Sequence, residues 1–446
     1  MSTELEVLNG EFADDADRLP AVRDKPTGLD VSDFTRDTVL VAGQELPTPF
    51  AQPTYTARDF VIGAKTARLY QDAWPHNTRR NADNQVKLFQ HWCAERGRVA
   101  LPCTTATLIE YIGWMIHSGY DPNTVSAYKS AVVTWQERKT PGRTRPGTIE
   151  VKEMIATYRT RWSKTNTEKQ SPAVREADLE EMLAVCDERS RPADLRDAAI
   201  LTLGFHLLTR RIELARLTVT HLTLYPDGMD VRLADRKTRK DGSVYEGWVP
   251  ARDDAPQLCP VRRMRAWLEY GRRIHQPEHE AAFRALDKAG RLAVRLTPQS
   301  CPLHQGGGCV PNAPHDLTTE QWTELSFLSG EAINRYVKTH AKAAERRLAH
   351  LSETQRVELG FNALLNAATA VKVTAHGLRA GGATELKEAD VPEDQIAEMG
   401  DWVKDSAAMK RYFRAIRAKK QNPWATARRS RTTATQPPAL SPPSGR

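Results

Sequence analysis

Apolar positions along this chain recur mostly at helical spacing. In NTRRNADNQVKLFQHWCAERG, Val86, Phe89 and Cys93 share one stripe, which stops at Gly97. TTATLIEYIGWMIHSG carries Leu108, Tyr111, Ile112 and Met115 at the same spacing. NTVSAYKSAVVTWQERK, with Asn123 as its cap, repeats the pattern through Val125, Tyr128, Val132 and Trp135, and TIEVKEMIATYRTRW closes the set near Trp162. Together they predict a small helical domain over residues 66–165. SKTNTEKQSPAV has no apolar period and contains Pro172, so residues 166–175 are predicted to be a linker.

A second domain is expected over 176–420. A helix is predicted near 176–187, followed by a longer apolar one through LRDAAILTLGFHLL. The period then changes: MDVRL and SVYEGWV alternate, and Asp227-Gly228 and Asp241-Gly242 punctuate them as the tight turns of a small antiparallel sheet would. Helices resume at CPVRRMRAWLEYGRR and at GEAINRYVKTHAKAAERR. The fold class is therefore mostly α with a small antiparallel β-sheet. Residues 1–65 show no sustained period and read as an acidic leader, largely disordered or an arm, while the tail 421–446, ending TATQPPALSPPSGR, reads as basic and disordered.

At 446 residues and 40% hydrophobic composition the chain is long enough for two real cores. No run approaches a membrane-spanning length, and the start is acidic rather than a basic stretch leading into an apolar one, so neither a membrane span nor secretion is expected. Six cysteines are too sparse for a disulfide scaffold, which points to the reducing cytoplasm. Charge adds more. The net charge is +8, yet the first 65 residues hold 6 basic and 12 acidic side chains, leaving +14 for the rest. Beyond Tyr412 the tail carries Arg414, Arg417, Lys419, Lys420, Arg428, Arg429, Arg431 and Arg446 with no acidic side chain. A polyanion is the expected partner, because neutralising phosphates releases counterions.

Three distant segments carry candidate chemistry. In LLTRRIELARL, Arg210 has Glu213 three residues on, with Leu214 and Leu217 turned to the core. In TAHGLRAGGATELKEADV, His376 and Arg379 stand three apart at a helix start, where free N–H groups favour phosphate. In GDWVKDSAAMKRYFRAI, Met409, Phe413 and Ile416 form an apolar stripe beside Tyr412. Each alone is ordinary: a surface ion pair, a capping histidine, an amphipathic tyrosine.

Their order is distinctive. Arg-x-x-Glu-Leu, a basic hairpin, His-x-x-Arg, Gly-x-Trp and a Tyr followed by Arg resemble the tyrosine recombinase, or phage integrase, family across residues 66–420. The helical unit, with its TRRNADNQVKLFQHWC opening, is similar to that family's SAM-like core-binding domain. SPAVREADLEEMLAV and CPVRRMRAWL resemble parts of its catalytic domain. The resemblance implies that Arg210 and Arg379 are catalytic arginines, that Glu213 supports Arg210, and that His376, Trp402 and Tyr412 complete the set with Tyr412 as nucleophile. Arg211 competes with Arg210 but lacks a Glu at +3. The catalytic lysine is implied to lie in ADRKTRKDG, as Lys237 or else Lys240.

Two departures from the family pattern stand out. Trp402 and Tyr412 are ten residues apart, about one more than usual, so the intervening turn must differ. The stretch from about 287 to 374 is longer than the usual connection and reads as an insert; its Cys301, His304, Cys309 and His315 match no standard zinc spacing and read as unligated. The implied activity is DNA strand cleavage and rejoining through a 3′-phosphotyrosyl intermediate without metal or cofactor. The implied partners are double-stranded attachment sites in a homotetramer, with accessory DNA-bending or excision factors as further candidates. A type IB topoisomerase-like enzyme and a non-catalytic DNA-binding regulator are the rival readings, and a scaffold that binds nucleic acid through its basic tail is a third.

Overall fold

The computed structural model describes residues 63–66, 69, 73, 76–140, 143–166, 170–233, 236, 243–271, 281–293, 318–414 and 416. The leader 1–62, the tail from 417, Lys237, Lys240 and the Cys301, His304, Cys309 and His315 group lie outside the described residues. The chain divides into two compact units, Met1–Glu168 and Lys169–Arg446. No helix among the described residues is long and apolar enough to cross a membrane.

The first unit holds α1 (His76–Glu95), α2 (Thr105–His117), α3 (Pro122–Lys139) and α4 (Ile149–Thr165). Their predicted stripes face inward, and Phe89, Leu108, Tyr111, Ile112, Met115 and Val132 are fully buried. Gly97, at φ +61°, turns the chain out of α1 as no branched residue would tolerate. One expectation needs correction: the cap of α3 is Asp121, not Asn123. The Asp121 side chain accepts from Asn123 N at 2.8 Å, and Pro122, which has no N–H to leave unpaired, takes the first helical position.

In the second unit, α5 (Glu176–Arg189) leads into α6 (Pro192–His206) and the short α7 (Arg211–Ala215). Helix α6 is buried nearly all round, and it is the central rod of this unit, flanked by α5, α8 (Pro260–Tyr270) and α13 (Ala375–Glu388). Strands β1 (Leu222–Leu224), β2 (Gly228–Leu233) and β3 (Tyr245–Pro250) form the expected antiparallel sheet in sequence order, with Val231 opposite both Leu222 and Gly247. Met229, Val231 and Leu233 point to the core and Asp230 and Arg232 outward, as alternation dictates. Gly228 is required where it stands, because a Cβ there would lie 2.0 Å from the Trp248 ring.

A two-stranded ribbon, β4 (Ala285–Leu286) with β5 (Leu292–Ala293), precedes α9 (Thr319–Ser326), α10 (Gly330–Arg347), α11 (Glu353–Glu358) and α12 (Ala367–Ala370). Helix α10 lies within the stretch read as an insert, yet Ile333, Val337, Ala341 and Ala344 on it are buried in the main core against α5 and α7. Its N-terminus is capped by Ser329, whose hydroxyl accepts from Ala332 N at 3.1 Å. Helices α13, α14 (Glu393–Gly400) and α15 (Ala407–Tyr412) end the described fold.

Candidate active site

The site is assembled where α13 meets the C-terminal end of α6. That approach depends on the run of small residues in the first turns of α13. A Cβ on Gly377 would stand 2.5 Å from the Pro172 carbonyl oxygen, one on Gly381 1.6 Å from that of Val174, and one on Gly382 2.3 Å from that of Phe205. Backbone therefore lies directly against backbone, and His376 and Arg379, three apart on one helical face, are carried to the loop that holds Arg210.

Arg210 sits immediately before α7. Its backbone N–H donates to Glu213 Oε2 at 2.8 Å, its Nη1 donates to Glu213 Oε1 at 2.7 Å and to Asp401 Oδ2 at 3.0 Å, and its Nη2 donates to the Asp401 carbonyl at 3.1 Å. Burial opposes its charge, but Glu213 and then Asp401 outweigh that and raise its pKa. Arg379 is only 2% exposed. Its Nη1 donates to the Leu208 carbonyl, and its guanidinium carbon lies 3.7 Å from the centroid of the Trp402 ring. Burial, reinforced by the charge of Arg210, lowers its pKa to about 10, which still leaves it cationic at neutral pH.

Two non-glycine residues hold left-handed backbone here, Leu208 at φ +51° and Asp401 at φ +55°. Each aims its carbonyl at a guanidinium, Leu208 at Arg379 and Asp401 at Arg210. Such conformations cost on the order of 1 kcal/mol or more apiece and persist only where surrounding contacts impose them.

Tyr412 is the last residue of α15, held by the burial of Met409 and Phe413 on the neighbouring stripe. Its hydroxyl lies 2.7 Å from His376 Nε2, and its ring meets those of His376 and Trp402 edge to face, each at 5.8 Å. Burial raises the phenol pKa, while Arg379, Arg411 and Arg210 pull in the opposite direction. For His376, burial and then the charges of Arg379 and Arg210 lower the pKa, favouring a neutral ring.

These groups fit attack by a phenol oxygen on an anionic centre gripped by two guanidiniums. At the level of sequence, the chain is 27% identical over 199 residues to the integrase/recombinase xerD homolog of Selenomonas ruminantium, a match covering 43% of this chain and 57% of that protein.

This chain is similar to an integrase/recombinase.

It spans little more than half the length of that curated relative. Solved structures similar to this chain include the XerH site-specific recombinase bound to palindromic difH substrate in a post-cleavage complex (TM-score 0.42, 13% identity, 73% of this chain and 71% of that one). A lambda integrase dimer bound to a COC′ core site gives a TM-score of 0.41 at 13% identity, over 77% of this chain and 90% of that one. The Tn1549 transposon integrase in complex with transposon right end DNA gives 0.41 at 14%, over 84% and 98%. No protein-family model matches the sequence.

The structure brings together Arg210, Glu213, His376, Arg379, Trp402 and Tyr412. Arg211 is elsewhere, paired with Glu331 Oε1 at 2.6 Å on the surface. Between Trp402 and Tyr412 the chain makes a turn with Asp405 at φ +60°, closed by Ser406 N donating to the Val403 carbonyl at 3.0 Å. Gly400 lets the Trp402 ring fold back, since a Cβ there would stand 1.9 Å from it.

Two residues of the site have no counterpart among the sequence-based expectations. Asp401 is one. The other is Arg236, next to Lys237, whose side chain is wholly buried: both terminal nitrogens donate to the Met399 carbonyl at 3.2 Å, and the guanidinium lies 4.1 Å over the Tyr245 ring and 3.8 Å from Glu213 Oε2. In sequence it is one more cation in a basic run, and nothing there marks it as buried.

Among the described residues one group of side chains is spaced closely enough to hold a metal: Cys186, Asp194 and His340. Their donors are already committed. Asp194 accepts Arg191 Nε at 2.7 Å and Nη2 at 3.0 Å, while His340 bridges Cys186 Sγ at 3.4 Å and Asp197 Oδ2 at 2.9 Å. The cluster fastens α5, α6 and α10 to one another.

Proposed function

We propose that this chain is a site-specific DNA recombinase, an integrase of a mobile element, that cuts and rejoins strands through a 3′-phosphotyrosyl intermediate. The observation that carries the reading is the Tyr412 hydroxyl 2.7 Å from His376 Nε2, in the field of Arg379 and Arg210. A phosphodiester gathers negative charge on its equatorial oxygens as it is attacked, and two planar guanidiniums that stay charged suit those oxygens better than point charges. His376, neutral in this field, takes the proton of Tyr412 as its oxygen bonds to phosphorus. Lys237, or else Lys240, in the segment between β2 and β3, protonates the departing 5′ oxygen. Trp402 braces Arg379 from behind. Because the ester bond energy is retained in the covalent link, a 5′-hydroxyl from another duplex reverses the step and rejoins the strand. Four copies on paired attachment sites, aided by accessory DNA-bending or excision factors, complete the reading.

The test uses the full chain and nicked duplexes tiled across the DNA that flanks its coding sequence, resolved on denaturing gels. A covalent protein–DNA adduct is expected with at least one duplex. Tyr412→Phe is expected to cut its yield by more than about 10⁴-fold while leaving the thermal unfolding midpoint in place. No adduct with any duplex, or one that survives Tyr412→Phe, removes the assignment. Recombination between two sites, rather than relaxation alone, separates it from a topoisomerase.

A further inference from the structure

An arginine side chain offers five N–H donors. At Arg210 three are taken: both hydrogens of Nη1 go to Glu213 and Asp401, and one of Nη2 goes to the Asp401 carbonyl. Among the described residues the Nε–H and the remaining Nη2 hydrogen have no acceptor, and in a planar guanidinium these two lie side by side on one edge. That edge is a fork of the right shape for two oxygens of a phosphate. Glu213 alone does not select it, because its side chain meets only one nitrogen of the guanidinium. Asp401 does, by closing the end between Nη1 and Nη2 with its carboxylate and its own carbonyl. The left-handed backbone at Asp401, φ +55°, is what turns that carbonyl toward Arg210. Asp401 also immediately precedes Trp402, on the segment that leads to Tyr412.

The geometry points to Asp401 as a positioning residue that fixes which edge of Arg210 faces the scissile phosphate, tying the first clamp to the segment that carries Trp402 and Tyr412. This deepens the recombinase reading above and rests on it. The carboxylate acts through Arg210 and not on the DNA, so its removal alters how the phosphate is held more than whether the duplex is bound.

The experiment compares the full chain with Asp401→Gly and Asp401→Asn, since glycine and asparagine both accept left-handed backbone and the fold is retained. The probe is the tiled nicked duplex that gives the adduct, made with one phosphorothioate of defined stereochemistry at the scissile position. Sulfur then replaces one non-bridging oxygen or the other, and the ratio of the two adduct rates reads which oxygen the fork grips. Asp401→Gly is expected to slow adduct formation about 30-fold and to bring that ratio toward one. Its duplex affinity should stay within about twofold. Asp401→Asn, whose amide oxygen still accepts from Nη1, should lose less than about fivefold and keep the ratio. An Asp401→Gly variant with the wild-type rate and ratio overturns the inference, as does one that slows with the ratio unmoved, which is the mark of general destabilisation. A wild-type chain that forms no adduct overturns the recombinase reading and this role with it.

Discussion

Phe89 in the first unit and Arg379 in the second are both almost completely buried, at 0% and 2% exposure, yet they are held there for opposite reasons. Phe89 packs against the rings of Trp92, Tyr111 and Trp135, and removing it from water is favourable by itself, by roughly 2–3 kcal/mol. Burying the Arg379 guanidinium is unfavourable, and its burial lowers its pKa accordingly. It remains because the Leu208 carbonyl, the Trp402 face and the glycine-dependent approach of α13 leave it no other place. Apolar burial builds the fold. Charge buried against its own preference stays only where the fold supplies partners for it, as at Arg236 and Arg379.

Substitutions on the two sides should therefore fail differently. Phe89→Ala should destabilise the first unit by about 3–5 kcal/mol in denaturant unfolding, through lost transfer energy and a cavity among aromatic rings. A loss below about 1 kcal/mol would mean that this core is not close-packed. Arg379→Lys keeps the charge but loses the planar group that spans the Leu208 carbonyl and the Trp402 face. Adduct formation per folded molecule is expected to slow by about 10²–10³-fold, equivalent to about 3–4 kcal/mol of barrier. A lysine variant as fast as the parent would show that charge, and not shape, is what this position supplies.

The smallest effect is in pH. Burial and the two guanidiniums disfavour the imidazolium form of His376, so its pKa in the folded chain lies below the ordinary value of about 6.5. The neutral ring that accepts the Tyr412 proton therefore persists at neutral pH and is lost as pH falls through that depressed pKa. Adduct rate should hold past about pH 6.5 on acidification and fall only at lower pH, by at most about tenfold per pH unit, and His376→Gln should abolish that limb. An acid limb centred above 6.5 would contradict the assignment of His376 as the acceptor.

The longer helices of both units and the three-stranded sheet were legible because each is written locally, in a period of apolar residues and the turn or cap that ends it, whereas the short α9, α11, α12 and α14 and the β4–β5 ribbon carry too few periods to be read. Six site residues were legible for another reason: short motifs in a fixed order resemble a known family, although each motif alone reads as an ordinary ion pair or cap. The cap of α3 was misread by two residues because Asp121, Pro122 and Asn123 are all turn formers and only the helix geometry ranks them. The stretch around 287–374 read as an insert, yet α10 within it supplies core side chains.

By itself the sequence determined the longer helices and the three-stranded sheet, where charge accumulates, and which side chain types the chemistry has to draw on. Only the tertiary structure decided that Asp401 closes on Arg210, that Leu208 offers its carbonyl to Arg379, and that Arg236 is a buried anchor and not a surface cation. The reason is physical. Those contacts join residues more than 160 positions apart, and several end on backbone carbonyls, which every residue possesses, so no side chain at those positions records them. What the sequence does record is the glycines of α13, and their meaning appears only once the neighbouring backbone is seen standing where a side chain would have been.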